Sequence, residues 1–236
     1  MNIKQTIMEI SLPEISLEEL FQAAGVQVSK RPPRPRAEEM LKKALEEART
    51  LVEPKAIWGE VKPVGATEHE VLLGDGTKLT SRLLARIAKS ADHLVFLVMT
   101  IGDMLDKRVD EYQKLGRMVE AYNLDSVGSA CIAKSSIQVI DKIATSYTVD
   151  GKSCTFPMGP GHSYWPGLGD VQTIFQILQP AQIGLSLTES NLMLPRKSIA
   201  MVMGVGRNLP DFQGKTHCDF CDLQTNCKMS KFGQQC

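Results

Sequence analysis

An excess of charge is the first thing this sequence lacks: 27 lysines and arginines stand against 27 aspartates and glutamates in 236 residues. With no long-range field to recruit polyanions or anionic lipid, binding to nucleic acid or to a charged membrane surface is disfavoured. Long apolar runs are missing as well. The longest strongly apolar stretch, Leu94 to Ile101, falls far below the ~18–20 residues that a bilayer-spanning helix needs. The opening MNIKQTIMEISLPEI has neither a sustained apolar segment nor a small-residue cleavage site, so a cytosolic chain is expected. GxxxxGK[ST] does not occur and no GxGxxG follows a strand, which disfavours nucleotide hydrolysis. Repeats of solenoid period are absent too.

What is present is enough for one compact core, since 43% of the side chains are hydrophobic. Ser16 with Glu19 three residues on reads as the start of a short helix that Gly25 ends. RPPRPR at 31–36 is a stiff, extended connector, because each proline fixes φ and restrains its predecessor. Ala37, Met40, Leu41, Ala44, Leu45, Ala48, Leu51 and Val52 then recur at helical spacing. AIWGEVKPV and EVLL-GDG-TKLT predict strands with a tight hairpin, SRLLARIAKSA a helix, and HLVFLVMTIG a buried strand. Two longer helices are expected next, from Asp103 to about Tyr122 and from Asp125 to about Ala144, both aspartates serving as N-caps. Small residues around Gly128 on the second would admit a close neighbour, and Cys131 there is expected to be a buried core thiol. A helix at 171–178 and two strands interrupted at Pro195 complete an α+β pattern.

Cysteine is scarce until the end: four of the six thiols, Cys218, Cys221, Cys227 and Cys236, fall in the last nineteen residues. In a reducing compartment such clustering points to metal, and Cys-x2-Cys can place two thiolates on one ion. His217, directly before Cys218, is a further candidate ligand. Zinc would staple a segment too polar to form its own core, whereas an iron–sulfur cluster would carry electrons, and spacing leaves both open. Residues 207–236 hold four Lys/Arg against three Asp, so a nucleic-acid-binding zinc module is a poor fit. The boundaries expected are an α+β domain over 1–206 and a cysteine-rich tail over 207–236.

The segment DGKSCTFPMGPGHSYWPGLGD (150–170) is dense in glycine and proline, where a backbone turns sharply and exposes N–H groups to a polar ligand. PGHSYWPGLGDVQTIF (160–175) followed by SLTESNLMLPRKS (186–198) resembles the reactivation, or activation, domain of cobalamin-dependent methionine synthase. Pro160-Gly161, Pro166 and Thr173-Ile174-Phe175 keep the register of that family, as do Leu187-Thr188-Glu189-Ser190 and Pro195 with Ser198.

The resemblance implies an antiparallel or mixed sheet with flanking helices. In that family the domain binds S-adenosylmethionine and docks over a corrinoid whose cobalt has fallen to Co(II), and reduction coupled to methyl transfer restores methylcobalamin. Carried over, Gly159, Gly161, His162 and Glu189 become candidate cofactor-binding residues. His162, at the family's tyrosine position and with a free pKa near neutrality, is also a candidate proton-transfer group or metal ligand. The two matched segments are expected side by side, forming one face of a groove. The arginine that meets the methionine carboxylate in the family is replaced by Pro157. Without that bidentate pairing, S-adenosylmethionine should be weakly bound or unbound, unless a cation such as Arg196 or Lys197 takes over.

A chain that carries cobalamin itself would be expected to show Asp-x-His-x-x-Gly, but Asp92 and His93 are adjacent. The expectation is an accessory protein acting in trans on a corrinoid protein, or on a methionine synthase lacking this domain, with the corrinoid presented by that partner. The alternative is an interaction protein that kept the fold, lost the S-adenosylmethionine site and holds its tail with zinc.

Overall fold

The computed structural model describes residues 3–26, 28, 32–212, 214–223 and 225. Its centre is a five-stranded antiparallel sheet of β1 (Gln5–Glu9), β2 (Lys55–Val61), β6 (His93–Thr100), β10 (Ser198–Gly206) and β7 (Ser153–Cys154), in the order β1-β2-β6-β10-β7. Strand β6 sits in the middle, and its apolar run has two destinations. Val95, Leu97 and Met99 join the core on one face, while Leu94, Phe96 and Val98 join the core on the other. The period of two therefore disappears from the sequence, because both sides of the strand are buried.

One face is covered by α1 (Leu17–Ala23), α2 (Pro35–Arg49), α4 (Met104–Lys114) and α5 (Met118–Thr148). The Ser16 side chain accepts from the Glu19 N–H while Glu19 accepts from the Ser16 N–H, the reciprocal cap expected there. The expected helix boundaries near residue 123 are corrected. The chain breaks instead at Leu115–Arg117, where Gly116 takes φ 71°, and α5 then runs unbroken for 31 residues. Asp125 lies inside it and pairs with Lys197 at 2.8 Å rather than capping a helix. Asp103 does stand at the N-cap of α4, but its side chain holds Lys107 at 2.6 Å instead of a backbone N–H. Cys131 on α5 is fully buried, and burial pushes its thiol up to about 12.

The other face carries a small antiparallel sheet of β3 (Pro63–Ala66), β4 (Glu70–Leu73) and β5 (Lys78–Thr80), then α3 (Arg82–Ala88) and α6 (Gly169–Leu178). Helix α3 lies hard against β10: a Cβ built on Gly204 would stand 2.2 Å from Ile87 Cγ2, so only glycine permits this approach. Between α6 and β10 the chain forms a two-stranded hairpin, β8 (Ser186–Leu187) with β9 (Met193–Leu194). The two strands expected around Pro195 are thus three, and Leu194-Pro195 is a cis peptide bond.

Beyond the two residues of β7 the edge of β10 remains covered. The Thr155 N–H donates to Gly204 O at 2.9 Å, and Met158 exchanges both backbone bonds with Val202. The segment that closes the sheet edge leads straight into the glycine-rich loop.

Candidate functional site

Gly159 lies so close to β10 that a Cβ would stand 2.7 Å from the Ala200 carbonyl oxygen. From there the chain leaves the sheet and folds back through a tight turn. The Gly161 N–H donates to Trp165 O at 2.9 Å and the Trp165 N–H to His162 O at 2.8 Å. Gly161, at φ 93°, holds a conformation that a side chain would strain. The turn buries Trp165, whose Nε1–H donates to Asp170 Oδ2 at 2.7 Å. The Thr80 N–H donates to the same oxygen at 2.7 Å, and the Ser81 hydroxyl donates to Tyr164 O at 3.1 Å while capping α3 through Leu84 N–H. Asp170 and Ser81 thus lash the loop to the start of α3.

Between them lies a cleft of about 770 Å³, within the range of small-molecule sites. It is lined by Ser163, Tyr164 and Pro166 of the loop, by Thr80, Arg82, Leu83, Arg86 and Lys89, by Glu68 and His69, and by Phe220 and Asp222 from the tail. His162 does not line the cleft; its ring stacks on Tyr164 at 5.1 Å, nearly parallel, and stands 5.8 Å from His217. Burial lowers the His162 pKa and His217 lowers it further, so the neutral ring is favoured. Burial pushes the Tyr164 phenol up to about 12, which keeps its proton in place.

The tail is not stapled only to itself. Phe212 and Phe220 pack on Phe156, at 5.4 and 5.6 Å between ring centroids, and the Asp222 N–H donates to the Ser163 hydroxyl at 2.9 Å. Cys218 lies within a 3-10 turn at His217–Phe220 that Thr216 caps at its start, Cys221 follows directly after it, and the Cys221 N–H donates to Cys218 O at 3.3 Å. Both thiols are half-buried. Cys227 and Cys236 lie outside the described residues. Among the described residues no group of three or more His, Cys, Asp or Glu gathers as a metal site.

Glu189 sits elsewhere in the molecule. It is exposed at the tip of the β8–β9 hairpin, where the Leu192 N–H donates to Thr188 Oγ1 and Asn191 takes φ 62°. Ser186 and Leu194–Arg196 of this hairpin region line a separate cavity of about 330 Å³ with Asp103, Asp106 and Asp110. It shares no lining residue with the larger cleft, so the two matched segments open onto different cavities. Arg196 is held there by Asp110 at 2.7 Å and by Asp106, which accepts its backbone N–H at 2.6 Å. Lys197 bonds Asp125 and the Ser129 hydroxyl. Neither cation is left over for a ligand.

Sequence reasoning missed Asp170, Ser81, Arg82, Arg86 and Lys89. The last three carry a usable signal, since intervals of four and three place them on one helical face.

No family model matches the chain, and no curated protein matches its sequence. In structure it is similar to the crystal structure of the MetH reactivation domain bound to AdoHcy, with a TM-score of 0.69. The match covers 86% of this chain and 78% of that one at 13% identity. The fold is therefore that of the reactivation domain, an antiparallel α+β sheet with flanking helices.

Proposed function

We propose that this protein assists the reductive reactivation of a corrinoid protein, acting in trans on a partner that presents the cobalt centre. The observation that carries the reading is the shared fold over most of the chain. The loop that bears the Pro-Gly register leads off an edge segment of that fold and opens onto the cleft of about 770 Å³. On this reading Gly159 and Gly161 shape the backbone at the ligand-bearing face. His162, neutral at physiological pH, stands ready to accept a proton beside it. Glu189, on its separate hairpin, would contribute only where a partner bridges the two cavities.

The tail cysteines belong to the same proposal. Cys218 and Cys221, with Cys227 and Cys236, would hold an iron–sulfur cluster that feeds electrons to cobalt, or a zinc ion that only fixes the tail. In support, the segment that carries the described pair adjoins the loop, where the Asp222 N–H donates to the Ser163 hydroxyl at 2.9 Å. Iron, sulfide and zinc analysis of anaerobically purified protein, repeated on Cys221→Ser, separates the two.

The direct test is an anaerobic spectrum of a Co(II) corrinoid protein with reductant and S-adenosylmethionine, with and without this chain. Acceleration of Co(II) loss and appearance of methylcobalamin is expected. Unchanged rates with every corrinoid carrier tried, together with stoichiometric zinc, would leave the interaction protein as the better reading.

A further inference from the structure

We propose that Cys218 and Cys221 form a redox-active dithiol that closes to a disulfide and, in closing, clasps the tail to the glycine-rich loop. The inference goes beyond the reactivation reading and stands without it.

The backbone carries the first part. The Cys221 N–H donates to Cys218 O at 3.3 Å, completing the 3-10 turn at His217–Phe220. Such a turn repeats about every three residues and rises about 2 Å per residue, so positions i and i+3 share a face with Cα atoms about 6 Å apart. A disulfide bridges Cα atoms about 4.4–6.8 Å apart, so the pair can close without rearranging the turn. The turn is also braced from within, since Thr216 Oγ1 accepts the Cys218 N–H at 3.3 Å and Asp219 Oδ2 accepts the Thr216 N–H at 2.6 Å. Both thiols are free and half-buried, which leaves them open to a reagent from solvent. Cys131 and Cys154 have other surroundings. Burial pushes their thiols up to about 12 and about 11, which withholds the reactive thiolate.

The second part is what the turn touches. Phe220, between the two cysteines, stacks on Phe156 at 5.6 Å and meets Phe212 edge-on at 5.5 Å. Asp222, directly after Cys221, donates its N–H to the Ser163 hydroxyl at 2.9 Å. A bond from Cys218 to Cys221 therefore fixes the stretch whose neighbours grip the sheet-edge segment and the loop. Phe220 and Asp222 also line the cleft, so the state of the pair sets how firmly that part of its lining is held.

The co-reactant is a low-molecular-weight disulfide of the glutathione type. One thiolate of the pair attacks a sulfur of that disulfide, forming a mixed disulfide and releasing one glutathione. The second thiolate attacks the protein sulfur of the mixed disulfide, which forms the Cys218–Cys221 bond and releases the other glutathione. The pair gives up two electrons and two protons, and the glutathione disulfide takes them as two thiols. A metal on these thiols and a bond between them exclude each other, so closure releases any metal that the pair holds.

The test is thiol trapping on the full chain as purified, equilibrated anaerobically across mixtures of reduced and oxidised glutathione. After denaturation, cleavage behind Phe220 and Leu223 isolates Cys221 on a short peptide, which stays joined to the Cys218 peptide only through a bridge. The joined peptides are expected in the wild type and in Cys227→Ser. Cys221→Ser should stop at the mixed disulfide of Cys218 with glutathione. Closure should slow hydrogen exchange at the Asp222 amide by on the order of tenfold, the scale of the entropy removed by so short a loop. Ser163→Ala should cut that slowing while leaving the bridge intact. Bridging of Cys218 or Cys221 to another cysteine, both thiols left unbridged in fully oxidised glutathione, or a bridge with unchanged exchange at Asp222 would overturn the proposal.

Discussion

Two groups of cations in this protein have opposite surroundings. Arg196 and Lys197 follow a cis-proline, and each is met by carboxylates from α4 or α5. Arg82, Arg86 and Lys89 line a cleft and meet no carboxylate at ion-pair distance among the described residues. The first group ties β10 to the helices on one face of the sheet, and its charges are spent on the fold. The second group leaves its charge available on the other face. Residue type does not separate them; the company that the topology brings does.

The contrast can be broken most forcefully at Asp106, whose side chain is 11% exposed. Asp106→Ala removes the acceptor for the Arg196 N–H and leaves a guanidinium with Asp110 as its remaining carboxylate. A loss of about 2–4 kcal/mol in urea unfolding is expected. A midpoint within error of wild type would show that the pinned group does not hold the fold. Next comes the contact that seats α3: Gly204→Ala should cost about 1–3 kcal/mol by overpacking against Ile87. The same change should displace α3, and amide resonances of Arg82–Ala88 unchanged from wild type would show that this contact does not seat the helix. Arg82→Gln marks the opposite pole. It should alter stability by less than about 0.5 kcal/mol, because the fold does not depend on it, and a larger loss would mean that the cleft cation is structural after all.

The smallest effect is in pH. The folded-state pKa of His162 is lowered, so the unfolded chain takes up the proton first as pH falls below the ordinary value of about 6.5. Stability should therefore decline as pH drops through that interval and level off below the folded pKa. Nuclear magnetic resonance titration should place the His162 midpoint below 6.5, and His217→Ala should move it partway back. A midpoint at or above 6.5 would contradict the burial of His162 beside His217.

Much of this fold is legible from local signals. The Ser16–Glu19 cap, the Gly-Asp-Gly hairpin and the β6 run depend on neighbours within a few residues, and each appears where the sequence places it. The α4–α5 break is hidden, because the helical period continues across Asn123–Asp125, while the one residue that must turn, Gly116, is a single glycine in a polar stretch. The site is harder to read. Asp170 reaches Thr80 across ninety positions of sequence, and Phe156 gathers Phe212 and Phe220 from the tail. Such pairings are made by the topology and leave no periodic trace. Glu189 stands out through its motif, yet it is exposed on a hairpin whose flanking residues line a different cavity.

The edge segment at 153–158 has a bearing on the solution behaviour of the protein. Strand β10, SIAMVMGVG, is apolar, uncharged and free of proline, the composition that stacks readily with copies of itself. Its outer backbone groups at Val202, Gly204 and Val205 are taken up by the run leading into the glycine-rich loop. That run acts as a guard against edge-to-edge association as well as a support for the cleft. A deletion reaching back to Met158 would uncover an edge of this composition, and aggregation is its expected outcome.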